Sequence, residues 1–153
     1  DDYQAYHHHA QRVYQYAITL LLQRESKKLA ICAAFHDLDI WTNGSMDYLP
    51  GSSTLALSYQ QKSDIDLVPE EVSFIIKNHH KLRKIKGNIE AEAFRKADLI
   101  DLTAGRIRFN IPLSLIQESE KQFPRSGFTN MILGKTMKHA IKNPLNPFPM
   151  VRW

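Results

Sequence analysis

The spacing of apolar residues is the feature that most constrains the fold of this chain. Apolar side chains recur at intervals near 3.6 residues along most of its length, and no sustained alternation of period two is present. Capping residues, prolines and glycines divide this pattern into predicted helices at about 6–23, 26–38, 52–61, 69–82, 89–104, 112–122 and 128–141. We therefore expect an all-α bundle of about six to seven helices.

Length and composition indicate how the chain is organised. With 153 residues, 43% apolar and 24% charged, the sequence predicts a single domain over 1–153 with one core. From about 143 the chain is too rich in proline to continue as a helix, and its Phe, Met and Trp side chains are expected to pack along the surface. Because no initiator Met is present, we expect the true N-terminus to lie outside this sequence.

Composition also narrows the location and the partners. The longest apolar runs fall far short of the ~20 residues that a membrane span needs, so we expect no membrane partner. Cys32 is the only cysteine, which excludes an internal disulfide and favours a cytoplasmic location. The net charge of +4 favours small anionic ligands. The oligomeric state is left open.

The first predicted helix carries three adjacent histidines, and one of them faces inward. At ~100° per residue, His9 shares a stripe with Val13 and Tyr16, whereas His8 and Arg12 lie on a polar stripe. His9 is therefore predicted to face the core. A single inward histidine is more often a hydrogen-bonded core residue than a metal ligand.

Three more predicted helices place histidine or aspartate among apolar side chains. The residues concerned are the His36-Asp37 doublet after the apolar run 29–35, His79 on the apolar face of its helix with His80 at the edge, and Asp98. Neutral imidazoles and ionised carboxylates are costly to bury alone but are compatible around a cation. Their coincidence on four helices therefore predicts a metal site.

The order of these residues resembles the H…HD…D motif of the HD superfamily of metal-dependent phosphohydrolases. The match consists of His9, the His36-Asp37 doublet and Asp98, and it spans about residues 9–101. The resemblance implies an HD-domain-like helical bundle in which His9, His36, Asp37 and Asp98 bind a divalent metal. It also implies hydrolysis of a small phosphate ester, such as a nucleotide, through a metal-activated water.

The donor set does not identify the metal. Two imidazoles and two carboxylates suit Mn, Fe, Co, Ni, Zn or Mg. Dinuclear relatives use additional histidines between the doublet and the final aspartate, and residues 38–78 contain none. One divalent metal is therefore favoured, because only His79 and His80 could complete a second site.

The remaining site residues are assigned as candidates. Asp37 is expected to orient the attacking water as well as to bind the metal. His79 is a candidate fifth ligand, and His80 a candidate acid or phosphate contact. Arg12, Lys81 and Arg83 are predicted to bind the phosphate of a small anionic substrate, with Lys84 and Lys86 as further candidates, although an isolated basic side chain is more often part of a solvated surface.

Two positions depart from the family pattern. Many nucleotide-hydrolysing relatives have a catalytic glutamate three residues after the motif aspartate, where this chain has Ile40. A standard nucleotidase activity is therefore disfavoured. Asp39 is a candidate substitute for that glutamate, but it points roughly 200° away from Asp37 on a helix, which favours a role in capping or pairing at the helix end.

Two other classes of function fit the same pattern. One is an HD-type di-iron oxygenase, which the adjacent His79 and His80 favour mildly. The other is a non-catalytic HD module that binds a metal or ligand. Nucleic acid is disfavoured as a partner, because the basic stretch from Lys77 to Lys86 has no interleaved aromatic side chains for base stacking.

Overall fold

The computed structural model describes residues 2–151, and all of its secondary-structure elements longer than one residue are α-helices. This confirms the all-α prediction, with seven helices of nine residues or more and one single-turn helix. The helices are α1 (Asp2–Leu20), α2 (Lys27–Phe35), α3 (Asp39–Thr42), α4 (Leu49–Lys62), α5 (Pro69–Asn78), α6 (Ile89–Leu102), α7 (Leu113–Gln122) and α8 (Phe128–Lys142). None of these helices is long and apolar enough to cross a membrane.

Helix α1 lies at the centre of the bundle. It packs against α6 on one side and α2 on the other, while α5 joins α2, α4 and α6. The core between them contains fully buried apolar side chains from each of these helices, including Tyr16, Leu29, Ala56, Ile76 and Phe94. Full burial of a leucine, isoleucine or phenylalanine side chain contributes about 1.5–3 kcal/mol to the free energy of folding. These contacts fix the relative positions of α1, α2, α5 and α6.

Side-chain caps begin two of the helices that carry the predicted ligands. The Ser26 hydroxyl accepts the Leu29 N–H at 3.2 Å at the start of α2, and Asn88 accepts the Ala91 N–H at 2.9 Å at the start of α6. Each satisfies a backbone donor that has no partner inside the helix. The predicted cap at Ser26 is confirmed.

Of the helices that end earlier than predicted, two end immediately before a histidine. Helix α2 stops at Phe35 rather than 38, and α5 stops at Asn78 rather than 82. His36 donates from Nδ1 to the Ala33 carbonyl at 2.8 Å, and His79 donates from Nδ1 to the Ile76 carbonyl at 2.7 Å. These bonds satisfy carbonyls in the last helical turns and hold both imidazoles at the helix ends.

The single-turn helix α3 accounts for Asp39, which is 4% exposed. Its carboxylate accepts hydrogen bonds from the Thr42 hydroxyl at 2.6 Å and from the Asn43 amide. Its backbone N–H donates to the Ser52 hydroxyl at 3.1 Å. Asp39 therefore pairs within and beside α3, as expected from its angle to Asp37.

The proline-rich segment packs against the domain at one point. Met150 is buried among Ile40, Met46, Tyr48 and Leu49, whereas Leu145 is fully exposed. Phe148 is half-exposed. Surface packing is thus confirmed for Met150 and only partial for Phe148, and Trp153 lies outside the described residues.

Two helical glycines differ in the space around them. A Cβ at Gly51 in α4 would overlap the Asp39 carboxylate, whereas a Cβ at Gly134 in α8 would meet no atom within 4 Å. We expect Gly51→Ala to destabilise the fold by about 1–3 kcal/mol because Asp39 must move. Gly134→Ala should stabilise it by about 0.5–1 kcal/mol, since alanine loses less backbone entropy on folding. Urea unfolding measures both effects, and equal midpoints for the two variants would contradict this packing.

Candidate metal centre

Six histidine and aspartate side chains converge between α1, α2, α5 and α6, and we call them the His/Asp cluster. Five of them are at most 3% exposed, and the side chain of the sixth, His80, is 17% exposed. The cluster consists of His9 from α1, His36 and Asp37 after α2, His79 and His80 after α5, and Asp98 from α6. All four predicted metal ligands therefore lie in one buried site.

The four predicted ligands point their donor atoms at one another. The Nε2 atoms of His9 and His36 are 3.0 Å apart. Asp98 Oδ1 lies 3.5 Å from the first nitrogen and 3.8 Å from the second, and Asp37 Oδ2 lies 3.8 Å and 3.5 Å from them. Two nitrogens and two carboxylate oxygens thus surround one small volume.

Hydrogen bonds outside the cluster fix the orientation of three imidazoles. Each ring donates from Nδ1 to an oxygen that can only accept: His9 to Asp101 at 2.7 Å, His36 to the Ala33 carbonyl, and His79 to the Ile76 carbonyl. A neutral imidazole that donates from Nδ1 has only a lone pair on Nε2. The facing Nε2 atoms of His9 and His36 therefore need a shared cation, either a proton or a metal ion.

Several polar atoms of the cluster are buried without a hydrogen-bond partner among residues 2–151. They are Asp37 Oδ1, Asp98 Oδ1 and His79 Nε2. An orphaned buried oxygen or nitrogen is costly unless a ligand satisfies it. Imidazole nitrogens and carboxylate oxygens are the donor types that first-row divalent metals accept, so the residues present fit a metal ion.

Three overlapping groups of donors could each hold an ion. Within each group the ligand atoms lie within 4.8 Å of one another: His9, His36 and Asp98; His36, Asp37 and His79; and His79, His80 and Asp98. The first and third groups share only Asp98. Its Oδ1 faces His9 at 3.5 Å, while its Oδ2 faces His80 at 3.5 Å.

Burial and neighbouring charges set the protonation of the cluster. Burial lowers the pKa of His36 to about 3, so this imidazole is neutral at ordinary pH. Burial raises the pKa of Asp98 to about 7. Burial opposes ionisation of Asp37 as well, but His36 and His79 outweigh it and lower the pKa of Asp37 below its ordinary value. At ordinary pH His36 is therefore neutral and Asp37 ionised, while Asp98 is still partly protonated near pH 7.

Arg12 lies behind His9 and is fully buried, so its prediction on a polar face is wrong. Its guanidinium donates to both carboxylate oxygens of Asp101, at 2.6 and 2.9 Å, and to the Phe123 carbonyl at 2.7 Å. Asp101 in turn accepts the His9 Nδ1 hydrogen. These contacts correct the assignment of Arg12 to phosphate binding, since its charge is directed to Asp101, which positions His9.

Asp101 supports the His/Asp cluster through His9 and was not among the predicted site residues. Burial would raise the pKa of Asp101, but the hydrogen bonds from His9 and Arg12 outweigh it and hold that pKa well below the ordinary value. The available signal was its spacing of three from Asp98, which places both carboxylates on one face of α6.

Aromatic side chains complete the walls, and sequence patterns did not identify them. Phe128 stacks on His9 with ring centroids 4.0 Å apart. Tyr48, which is buried, shares a hydrogen bond of 2.6 Å with His80 Nε2. Both side chains restrict the rotation of imidazoles in the cluster.

The predicted basic residues from Lys81 to Lys86 do not lie at one place. Lys81 lines a cavity that opens onto His79, His80 and Asp98, and so does Arg95, which the sequence prediction missed. Arg83 is exposed and does not line it. Lys84 and Lys86 line a different cavity beside the start of α6.

The contact between Asp101 and His9 generates a prediction about metal affinity. Asp101→Asn should weaken metal binding about 10- to 100-fold, because partners of ligating histidines orient the ring and raise its basicity. Asp39→Asn is the matched control, since Asp39 is also a buried carboxylate but bonds within α3. Titration with Mn²⁺ or Zn²⁺ followed by calorimetry measures both. Equal affinities for the two variants would exclude a positioning role for Asp101.

The raised pKa of Asp98 predicts a pH dependence of stability in metal-free protein. Folded Asp98 retains a proton up to about pH 7, whereas its ordinary pKa is 3.8. Stability from this group is therefore present below about pH 4 and is lost as the pH rises through about 7. Asp98→Asn removes this titration, so its Tm relative to the original protein should rise between about pH 5 and pH 8 in chelator. Thermal unfolding by circular dichroism tests this, and a pH-independent difference would contradict it.

Comparisons with protein-family models, with curated proteins and with solved structures find no match to this chain. Support for a function therefore comes from the residues and distances of the His/Asp cluster and its cavity.

Proposed function

We propose that this chain is an HD-type metal-dependent phosphohydrolase that hydrolyses a small phosphate ester. The observation that carries the proposal is the buried contact between the Nε2 atoms of His9 and His36, flanked by Asp37 and Asp98. This arrangement supports the ligand set that the H…HD…D resemblance implies. His9, His36, Asp37 and Asp98 would hold the ion.

The residues around the cluster support phosphate as the substrate group. When bound, a divalent ion lowers the pKa of a water molecule and polarises a phosphoryl oxygen. Asp37 Oδ1 lies 3.3 Å from His79 Nε2 but makes no hydrogen bond in the described part of the chain, so it can accept one that orients a water. Lys81 and Arg95 line the adjoining cavity, and Lys81 supplies positive charge for an anionic group, whereas the charge of Arg95 is paired with Glu92. His80, at the edge of the cluster, is the candidate acid or phosphate contact.

The environment of Ile40 supports a substrate other than a standard 5′-nucleotide. Ile40 is 2% exposed and packs with Met46, Leu49 and Met150. No carboxylate is available at this position to serve as the glutamate of nucleotide-hydrolysing relatives. Asp39 does not replace it, because its carboxylate bonds to Thr42 and Asn43.

A panel of phosphate esters tests the proposal. Protein loaded with Mn²⁺, Co²⁺, Ni²⁺ or Mg²⁺ should hydrolyse at least one phosphomonoester or phosphodiester, and chelator should abolish the activity. His36→Ala and Asp98→Ala should lose the metal and the activity while keeping their helical circular dichroism, because each removes a ligand but leaves the apolar core intact. His7→Ala is the control, since His7 is exposed on α1.

The alternative results of this panel point to the other classes of function. Stoichiometric metal on His36→Ala would remove the ligand assignment. Bound metal without hydrolysis of any ester would favour a non-catalytic binding module.

A second candidate is an HD-type di-iron oxygenase. The specific observation in its favour is that Asp98 faces His9 with one oxygen and His80 with the other. A carboxylate shared in this way suits two adjacent ions. Two irons per chain and oxygen uptake by anaerobically purified protein would support this candidate over a mononuclear hydrolase.

A further inference from the structure

The cavity beside the His/Asp cluster is small. It has a volume of about 150 Å³ and is lined by His79, His80 and Asp98 on the cluster side. Cavities that enclose drug-sized ligands have about 300–1,000 Å³. The cavity is open on one side, so a phosphate group with a short substituent fits within it, whereas the base and sugar of a nucleotide must extend beyond it.

Part of the cavity wall comes from a distant part of the sequence. Val151 lines the cavity together with Leu99 and Leu102 of α6. A turn in which the Val151 N–H donates to the Phe148 carbonyl at 3.1 Å brings the segment to this place. Val151 therefore forms one side of this cavity.

Met150 anchors that wall. It is 6% exposed and packs in the apolar cluster with Ile40, Tyr48 and Leu49, against which Val151 also packs. Tyr48 links this anchor to the site, because its hydroxyl shares a hydrogen bond with His80. The buried contacts of Met150 and the packing of Val151 against the same apolar cluster thus fix the position of Val151.

The charges and the apolar side chains around the cavity define the ligand that suits it. Lys81 has no acidic partner within residues 2–151. Arg95 is held by Glu92 through two hydrogen bonds of 2.9 Å, which fixes its guanidinium at the wall. The remaining lining is aliphatic and consists of Leu82, Leu99, Leu102 and Val151. One compact anionic group beside a short hydrocarbon portion satisfies both kinds of wall.

We infer that Val151, held by Met150, makes this site prefer compact phosphorylated ligands, whose organic part has only a few carbon atoms, over nucleotides. The inference rests on the proposed function for the phosphate chemistry. Val151 acts as a specificity-determining residue through the volume it occupies.

Ligand binding tests the size limit without requiring turnover. Mn²⁺-loaded protein is titrated by calorimetry with inorganic phosphate, glycerol 3-phosphate and adenosine 5′-monophosphate, and hydrolysis of the two esters is measured in parallel. The original protein should bind glycerol phosphate at least about tenfold more tightly than the nucleotide. Val151→Ala should reduce this ratio by about tenfold, since a missing methyl or methylene group in an apolar pocket changes discrimination by such factors.

Two further variants serve as controls for the effect of Val151→Ala. Leu145→Ala changes a fully exposed side chain of the same segment and should leave the ratio unchanged. Val151→Phe narrows the cavity and should weaken glycerol phosphate binding more than inorganic phosphate binding. Opposite effects of the two Val151 substitutions are not expected from a general loss of folding.

The outcomes separate the size limit from the proposed function. Size-selective binding without hydrolysis of either ester or of any in the panel would overturn the hydrolase and retain the restriction at Val151. Equal affinity for glycerol phosphate and the nucleotide, or a ratio unchanged by Val151→Ala, would overturn the restriction even if hydrolysis occurs. Absence of binding by all three ligands would overturn both.

Discussion

The contact between the Nε2 atoms of His9 and His36, 3.0 Å apart in a buried site, is the constraint around which the bundle is organised. Two lone pairs at this distance are unfavourable without a cation, and the adjacent carboxylates of Asp37 and Asp98 make the same demand. The fold holds these groups together by bonding each imidazole from behind. The buried pair of Arg12 and Asp101 belongs to this support, because Asp101 bonds to Arg12 and His9 at once. A buried ion pair is a weak source of net stability, so its role in orienting His9 is the more informative one.

Helix ends, more than helix faces, position the remaining ligands. His36 and His79 each follow the last residue of a helix and bond to the carbonyl three residues earlier. The same bond therefore ends the helix and selects the nitrogen that faces the cluster. Asp37 follows His36 and His80 follows His79 in the chain. The two short turns after α2 and α5 therefore supply four of the six side chains of the His/Asp cluster. The long helices α1 and α6 supply the other two from fixed faces.

The extent to which the sequence predicted this site follows from the range of each interaction. Helical periodicity is local, and it was sufficient to predict the bundle and the inward faces of His9 and Asp98. It placed Arg12 on a polar face because the pattern treats every arginine as solvent-exposed, and the partner Asp101 lies 89 residues away. The early ends of α2 and α5 were missed because they depend on side-chain bonds rather than on apolar spacing. Tyr48 and Val151 could not be predicted, since only the folded chain brings them beside His80.

Ile40 connects the chemistry of the site with its size. A glutamate at this position, as in many nucleotide-hydrolysing HD proteins, would place a carboxylate beside Met150 in an apolar cluster. With isoleucine, the same position instead buries an aliphatic side chain against Met150, which holds Val151 at the cavity. Isoleucine thus provides no carboxylate of the kind used on nucleotides and supports, through Met150, the wall that Val151 forms. Both features are compatible with the compact phosphate ester that we propose as the substrate class.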